Sequence, residues 1–275
     1  MFYGRFKSFM EKILDAHKTT DGLLRAVQVW GTITLSFILL IYLLSALHCE
    51  DSSVRSEAQV TRVSNLDANG LNGLLDDQKW SDDLYVLAAI AQSPLATAEI
   101  LDRISRKNDP RLHQKFFGTV TAMGKNSKGL AVMRLVALHP NVSQATLERL
   151  AQSKDEYVIM NVLSNPKTPE HILRAFGDID SYLIDWGIVE NPKAPPELLR
   201  KRALSKNEYT RAGVAAHHNT PVDLLPLLAH DNAWAVRRSV AFHPGTTHTL
   251  LEQLAQDSDQ RVRDFAELQL KKRHF

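Results

Sequence analysis

The chain has 275 residues, 44% apolar and 23% charged, which is a globular rather than a disordered composition, with a net charge of +2. That excess sits in residues 1–49, where five Lys/Arg meet three acidic residues; the rest carries 28 of each sign, which argues against a nucleic-acid-binding surface. A single cysteine, Cys49, excludes an intrachain disulfide and a thiolate-built zinc or iron–sulfur site.

At the amino terminus Phe2, Phe6, Phe9, Ile13 and Leu14 recur at helical spacing, with Lys7, Glu11, Lys12 and Lys18 elsewhere on the wheel. Residues 1–25 therefore read as a cytoplasmic amphipathic segment, either dipping an aromatic face into the lipid leaflet or packing on a partner's membrane domain. From Ala26 to Cys49 the chain runs 24 residues without Asp, Glu, Lys or Arg. About 20 apolar residues suffice to cross the hydrocarbon core, so this run predicts a transmembrane helix. Ser45-Ala46-Leu47-His48 lacks the small residue that would precede a lipoprotein cysteine, and the apolar run is too long for a cleaved signal; an uncleaved anchor is expected. Five Lys/Arg precede the span, and Arg55 and Arg62 follow it. The positive-inside rule then keeps the amino terminus cytoplasmic and translocates the rest, which in a Gram-negative bacterium means an inner-membrane anchor and periplasmic repeats.

Residues 50–80 are polar, interrupted by Asn69-Gly70 and Asn72-Gly73, and read as a linker with a short helix at Leu71–Leu75. Ordered repeats are expected over 81–268. Ser81-Asp82-Asp83 is a helix start ahead of the apolar LYVLAAIA, which ends at Ser93-Pro94.

A 26-residue register dominates the carboxy-terminal half of the chain: Pro140, Pro166, Pro192, His218 and Pro244 anchor it. Six and seven residues on stand Thr146-Leu147, Ile172-Leu173, Leu198-Leu199, Leu224-Leu225 and Leu250-Leu251. Eighteen on stand Val158, Ile184, Thr210, Val236 and Val262; four later come Val162, Ile188, Val214, Val240 and Ala266. Before each anchor sits His139, Asn165, Asn191, His217 or His243. Such self-similarity predicts an all-α solenoid of two-helix repeats. A 26-residue unit leaves little room for two full helices plus turns, so one element of each pair is expected to be short or 3₁₀. Thr168-Pro169-Glu170 and Thr220-Pro221 look like capped starts of the first halves. The second halves should start near Asp155, Ser181, Asn207, Asp231 and Asp257. Pro94 is a further anchor, 46 residues before Pro140, so an insertion of 20 residues is expected near 106–128. Residues 269–275, with Lys271-Lys272-Arg273, read as a basic tail.

The run ENPKAPPELLRKRALSKNEYTRAGVAAHHNTPVDLLPLLAHDNAWAVRRSVAFHP resembles the leucine-rich repeat variant family, and the likeness extends over Leu84 to about Leu268. The resemblance implies a right-handed solenoid pairing an α-helix with a 3₁₀ helix, without strands. The cysteine cluster of the family's iron–sulfur members has no counterpart here, and the anchor lies outside the repeat pattern.

Three columns are candidates for function. Arg211, Arg237 and Arg263 stand nineteen residues after their anchors, as an inter-repeat ladder with Asp231 and Asp257 or as a basic stripe for an acidic partner; Arg238, beside the column, is freer to bind. Tyr182, Trp186, Tyr209 and Trp234 gather on the second halves, either as anchors for a protein partner or packed on neighbouring repeats. The His/Asn column suits turn capping, and its members, on the order of 10 Å apart, are too far apart to share a metal. Gly118…Gly124-Lys125 departs from phosphate-loop spacing, and no HExxH, GxSxG or CxxC motif exists. The expectation is not an enzyme: a membrane-anchored, periplasmic protein-interaction scaffold without cofactor, metal, nucleic-acid or small-molecule ligand. It would bind membrane or envelope-complex subunits, for instance in a secretion, conjugation or pilus machine. The alternatives are a cytoplasmic-facing repeat domain binding nucleic acid, or an enzyme built on the 106–128 insertion.

Overall fold

The computed structural model describes residues 61–113 and 131–273, which are helical without a strand. The segment at 1–25, the span expected at Ala26–Cys49, the start of the linker and most of the insertion lie outside the described residues. No described helix is long and apolar enough to cross a membrane.

Helix α1 (Ala68–Asp76) is capped by Asp67, whose carboxylate accepts from Gly70 N at 2.8 Å. Its Leu71, Leu74 and Leu75 are buried in one cluster with Val86–Ala91 of α2 (Leu84–Gln92). The packed body therefore begins inside the stretch read as linker, because three leucines on one helical face find a wall to cover.

From there the helices form two rows. The second row, built from the second halves of the repeats, holds α2, α4 (Val132–Leu138), α6 (Glu156–Ser164), α8 (Tyr182–Val189), α10 (Glu208–Ala216), α12 (Trp234–Phe242) and α14 (Gln260–Arg273), each packed against the next. The first row, built from the first halves, holds α3 (Ala98–Ser105), α5 (Gln144–Leu150), α7 (Glu170–Ala175), α9 (Pro196–Arg202), α11 (Leu225–Leu228) and α13 (His248–Leu254). Between the rows the periodic columns close the core. Leu147, Leu173, Leu199, Leu225 and Leu251 are buried, as are the residues eighteen and twenty-two after each anchor. Ile172 and Phe176 touch both the amino-terminal and carboxy-terminal halves of that core.

The alternation of α with 3₁₀ does not hold. First halves are α-helices of four to eight residues, and only Val222–Leu224, ahead of α11, is 3₁₀ within the regular repeats. Proline explains that exception: Pro226 has no N–H for the Val222 carbonyl, and the turn tightens so that Leu224 N bonds Pro221 O at 2.9 Å.

The hydroxyl caps also differ from expectation. Helix α7 starts after Pro169, and Thr168 Oγ1 instead donates back to Val162 O; Thr220 and Thr246 do the same to Val214 O and Val240 O, both at 2.5 Å. A buried carbonyl at the end of a second-row helix needs a donor more than the exposed start of the next one does. Asp155 and Asn207 do cap α6 and α10, accepting from Tyr157 N and Tyr209 N at 2.9 and 2.8 Å.

Glycine sets the helix spacing in two places. A Cβ on Gly187 of α8 would lie 2.7 Å from Met160 O, and one on Gly213 of α10 would lie 2.5 Å from Val189 Cγ1. Any side chain at either position would push successive helices apart.

Candidate interaction surface

A hydrogen-bonded spine runs down the turns that carry the anchors. His139, Asn165, Asn191, His217 and His243 are all buried. Each accepts from the N–H two residues on, His through Nδ1 (3.0 Å to Asn141, Asn219 and Gly245) and Asn through Oδ1 (2.9 and 2.8 Å to Lys167 and Lys193). With Nδ1 occupied as an acceptor, the proton sits on Nε2, which donates backwards. His139 bonds Ser93 O at 2.9 Å, Asn165 bonds Ala137 O at 2.7 Å and Asn191 bonds Asn165 O at 2.9 Å. His217 bonds Asn191 O at 2.8 Å, and His243 bonds His217 O at 3.1 Å. Burial pushes all three histidines below the usual imidazole range, which favours this neutral form.

Arg273 closes the spine. Its Nη2 donates to His243 O at 2.8 Å and its Nη1 to Thr246 O at 2.9 Å and Pro244 O at 3.3 Å. Asn219 makes the same pair of contacts on Pro192 O and Ala194 O, two repeats earlier. The stretch read as a basic tail is thus helix α14 up to Arg273, because unfilled carbonyls at the end of the stack attract a guanidinium.

On the opposite edge, where first-row helices turn into second-row ones, the arginine column pairs forward. Arg211 bonds Asp231 at 2.6 Å and Arg237 bonds Asp257 at 2.7 Å, with all four side chains no more than 17% exposed. These contacts hold the two aspartates below the ordinary carboxylate range. Each arginine also reaches its own turn: Arg211 Nη1 to Ser205 O at 2.8 Å, Arg237 Nη1 to Asp231 O at 2.7 Å, and Arg263 Nη1 to Asp257 O at 2.6 Å. Arg134 and Asp155 form a related buried pair at 2.9 Å.

At one repeat the ladder reverses. Asp185 stands in the arginine column and pairs with Arg202 Nε at 3.1 Å. Arg202 occupies a column that elsewhere holds Leu150, Phe176, Leu228 and Leu254, and is only 2% exposed. Burial drives the Asp185 carboxyl up and the Arg202 guanidinium down, and each charge partly restores the other. The remaining Arg202 contacts are long, 3.3 Å to Gly177 O and 3.4 Å to Phe176 O. Beside this pair α8 and α10 lie less closely together than α6 and α8 or α10 and α12.

The proposed partner-binding residues do not form a single set. Tyr182 and Tyr209 are exposed, and the Tyr182 and Trp186 rings lie 6.2 Å apart. Trp234 is half-buried beneath Arg261, whose guanidinium sits 3.5 Å from the ring. Arg238 rests 4.9 Å above Phe265. Exposed Ile179, Leu204 and Leu227 join Tyr182 and Tyr209 on the turn edge. Leu204 is 75% exposed in a column otherwise occupied by Gln152, Asp178, His230 and Gln256. That single apolar residue in a polar column was visible in the register, and reading the column would have found it. The face of the first row is occupied differently, by ion pairs between repeats: Arg149–Asp102, Arg174–Glu197 and Arg200–Asp223, at 2.5, 3.0 and 2.6 Å.

The described chain is similar to a solved structure titled a leucine-rich repeat variant with a novel repetitive protein structural motif. The likeness covers 78% of this chain and 82% of that one, at 20% identity and a TM-score of 0.45. No family model matches the sequence, and no curated protein does.

Proposed function

We propose that this chain is a membrane-anchored interaction scaffold whose helical repeats hold a protein partner along the edge bearing Ile179, Tyr182, Leu204 and Tyr209. The observation that carries the reading is Leu204, 75% exposed where the register otherwise places polar residues, with exposed Tyr182 lining the same cleft and exposed Tyr209 five residues on. Leucine and tyrosine side chains gain free energy when a partner covers them, and tyrosine is favoured as an interface anchor. Stacked repeats also give a rigid, extended edge with little ordering cost on binding. The uncharged run Ala26–Cys49 and the five cations before it support an inner-membrane anchor with the repeats on the periplasmic side, suited to an envelope-spanning assembly.

The test is site-specific photo-cross-linking of the full chain in cells, with the probe at position 209 or, as a control, at Glu252, exposed on the first-row face. A discrete adduct at 209, absent at 252 and abolished by Leu204→Asp, supports the reading. Equal labelling at both positions, or an adduct indifferent to Leu204→Asp, overturns it. A reporter fused at Phe275 that works only in the cytoplasm would overturn the orientation.

A further inference from the structure

Three repeats show what an arginine does nineteen residues after its anchor: it fills the turn of its own repeat. Arg211 binds Ser205 O and Lys206 O at 2.8 and 3.2 Å, Arg237 binds Asp231 O and Asn232 O at 2.7 and 3.2 Å, and Arg263 binds Asp257 O and Ser258 O at 2.6 and 3.0 Å. In the repeat anchored at Pro166 that position is Asp185, and the equivalent carbonyls belong to Ile179 and Asp180. Among the described residues neither carbonyl accepts a hydrogen bond. A cleft of about 450 Å³ opens at this place, lined by Ile179, Asp180, Tyr182, Asp185, Arg202 and Ser205 among others.

Two further observations specify what fits. At two other second-row helices the aromatic residue near the start carries a guanidinium, while Tyr209 stays open: Arg134 lies 4.2 Å from the Tyr157 ring and Arg261 lies 3.5 Å from Trp234. Tyr182 occupies the same repeat position as Trp234 and is 48% exposed, its one ring neighbour being Trp186. The charge agrees as well. Residues 166–191 carry two Lys/Arg against five Asp/Glu, with Asp178, Asp180 and Asp185 all on this edge. Arg202 Nε lies 3.1 Å from Asp185 Oδ1 without completing a hydrogen bond, and Oδ2 accepts one long hydrogen bond of 3.4 Å from Ser205 Oγ. Of the lysines that line the cleft, Lys201 is held by Asp178 at 2.5 Å, and Lys206 is exposed.

We propose that this cleft receives an arginine side chain of the protein partner, which completes the missing rung. This rests on the scaffold reading and names the chemistry its partner presents. The incoming guanidinium donates to the Ile179 and Asp180 carbonyls and to Asp185 Oδ2, and lays its plane on Tyr182. Carbonyls at fixed spacing suit the planar fork of arginine and not the single ammonium of lysine. Leu204, at the lip of the cleft, takes an apolar neighbour of that arginine.

The experiment is calorimetric titration of the full chain with acetyl-Leu-Arg-Leu-amide and with its Lys and norleucine counterparts. The Arg peptide is expected to bind about tenfold or more tighter than the Lys peptide, with the norleucine peptide weaker still. The triple variant Asp185→Arg, Arg202→Leu, Ser205→Asp rebuilds the neighbouring rungs and fills the cleft from within; it is expected to lose the binding. Tyr182→Leu, an exposed change that spares the core, is expected to weaken the Arg peptide about two- to fivefold. Equal binding of Arg, Lys and norleucine peptides, no Arg binding at all, or undiminished Arg binding by both variants would overturn the proposal. If any of these occurs while cross-linking at 209 still depends on Leu204, the arginine site alone is wrong; if cross-linking fails too, the scaffold reading falls with it.

Discussion

Nε2 of His243 donates to the carbonyl of His217 at 3.1 Å, and the carbonyl of His243 accepts in turn from Arg273 at 2.8 Å. One residue type therefore ties a turn to the repeat before it and to the residue after it. Three such histidines stand in a column shared with Asn165 and Asn191, and an imidazolium there would lose its Nδ1 acceptor and bury a charge.

Stability should fall as pH drops. Burial lowers the folded pKa of His139, His217 and His243, so the unfolded chain takes up protons first, below about 6.5. Their contribution is complete above that value and is lost as the pH falls from there through the lower folded pKa values. Asp231 and Asp257, held low by arginine, give way only below the ordinary carboxylate value of 3.8. The melting temperature followed by circular dichroism from pH 7.5 to 5 should fall for the parent. It should fall less for His217→Asn with His243→Asn, which borrows the side chain already used at 165 and 191. Parallel curves would refute the histidine assignment.

The arginine ladder should be asymmetric to mutation. Asp257→Asn strands Arg237 in a site where the two side chains are 13% and 9% exposed, and should cost about 3 kcal/mol in urea unfolding. Replacing both, as Arg237→Met with Asp257→Leu, should cost far less, since no buried charge is left alone. Equal losses would mean that the pair itself carries the stability.

Gly187→Ala should destabilise by about 1–3 kcal/mol, because its Cβ would meet the Met160 carbonyl and Leu163 of the preceding helix. Gly73→Ala is the control: nothing lies within 4 Å of its Cβ, and helix propensity predicts a gain of about 0.5–1 kcal/mol. Chemical denaturation of the two variants separates packing from propensity.

Arg273→Ala should loosen the end of the stack. It removes the donors to Pro244 O, Thr246 O and His243 O, at a cost of about 1–3 kcal/mol. Hydrogen exchange should accelerate at the amides of Val240–Thr246 and remain slow at Val158–Val162. Uniform acceleration would place Arg273 in the global fold rather than at a cap.

The core was legible because its signal is repeated: Leu225, Val236 and Val240 recur with their counterparts at a fixed spacing, and every residue in those columns except partly exposed Ile172 and Leu224, which belong to the leucine pairs, is buried. The thresholds between elements were not. Thr168 looked like a helix start and is a helix end, because a hydroxyl satisfies whichever buried backbone group lies nearer. Of the five residues singled out for binding, Tyr182 and Tyr209 are open while Trp234 and Arg238 stack on neighbours, a distinction that depends on where Arg261 and Phe265 come to rest.

The sequence by itself determined the period, the buried columns and the run of 24 uncharged residues, since each of these is a property of spacing along one chain. The tertiary structure decided which residues meet across repeats. Stacking brings Arg211 to Asp231 and Arg202 back to Asp185, contacts of 20 and 17 positions that no single period announces. Where one column exchanges arginine for aspartate, only the packed neighbours show what is left unfilled: two carbonyls whose counterparts in the next two repeats accept from Arg211 and Arg237, and an open tyrosine where Trp234 lies under Arg261.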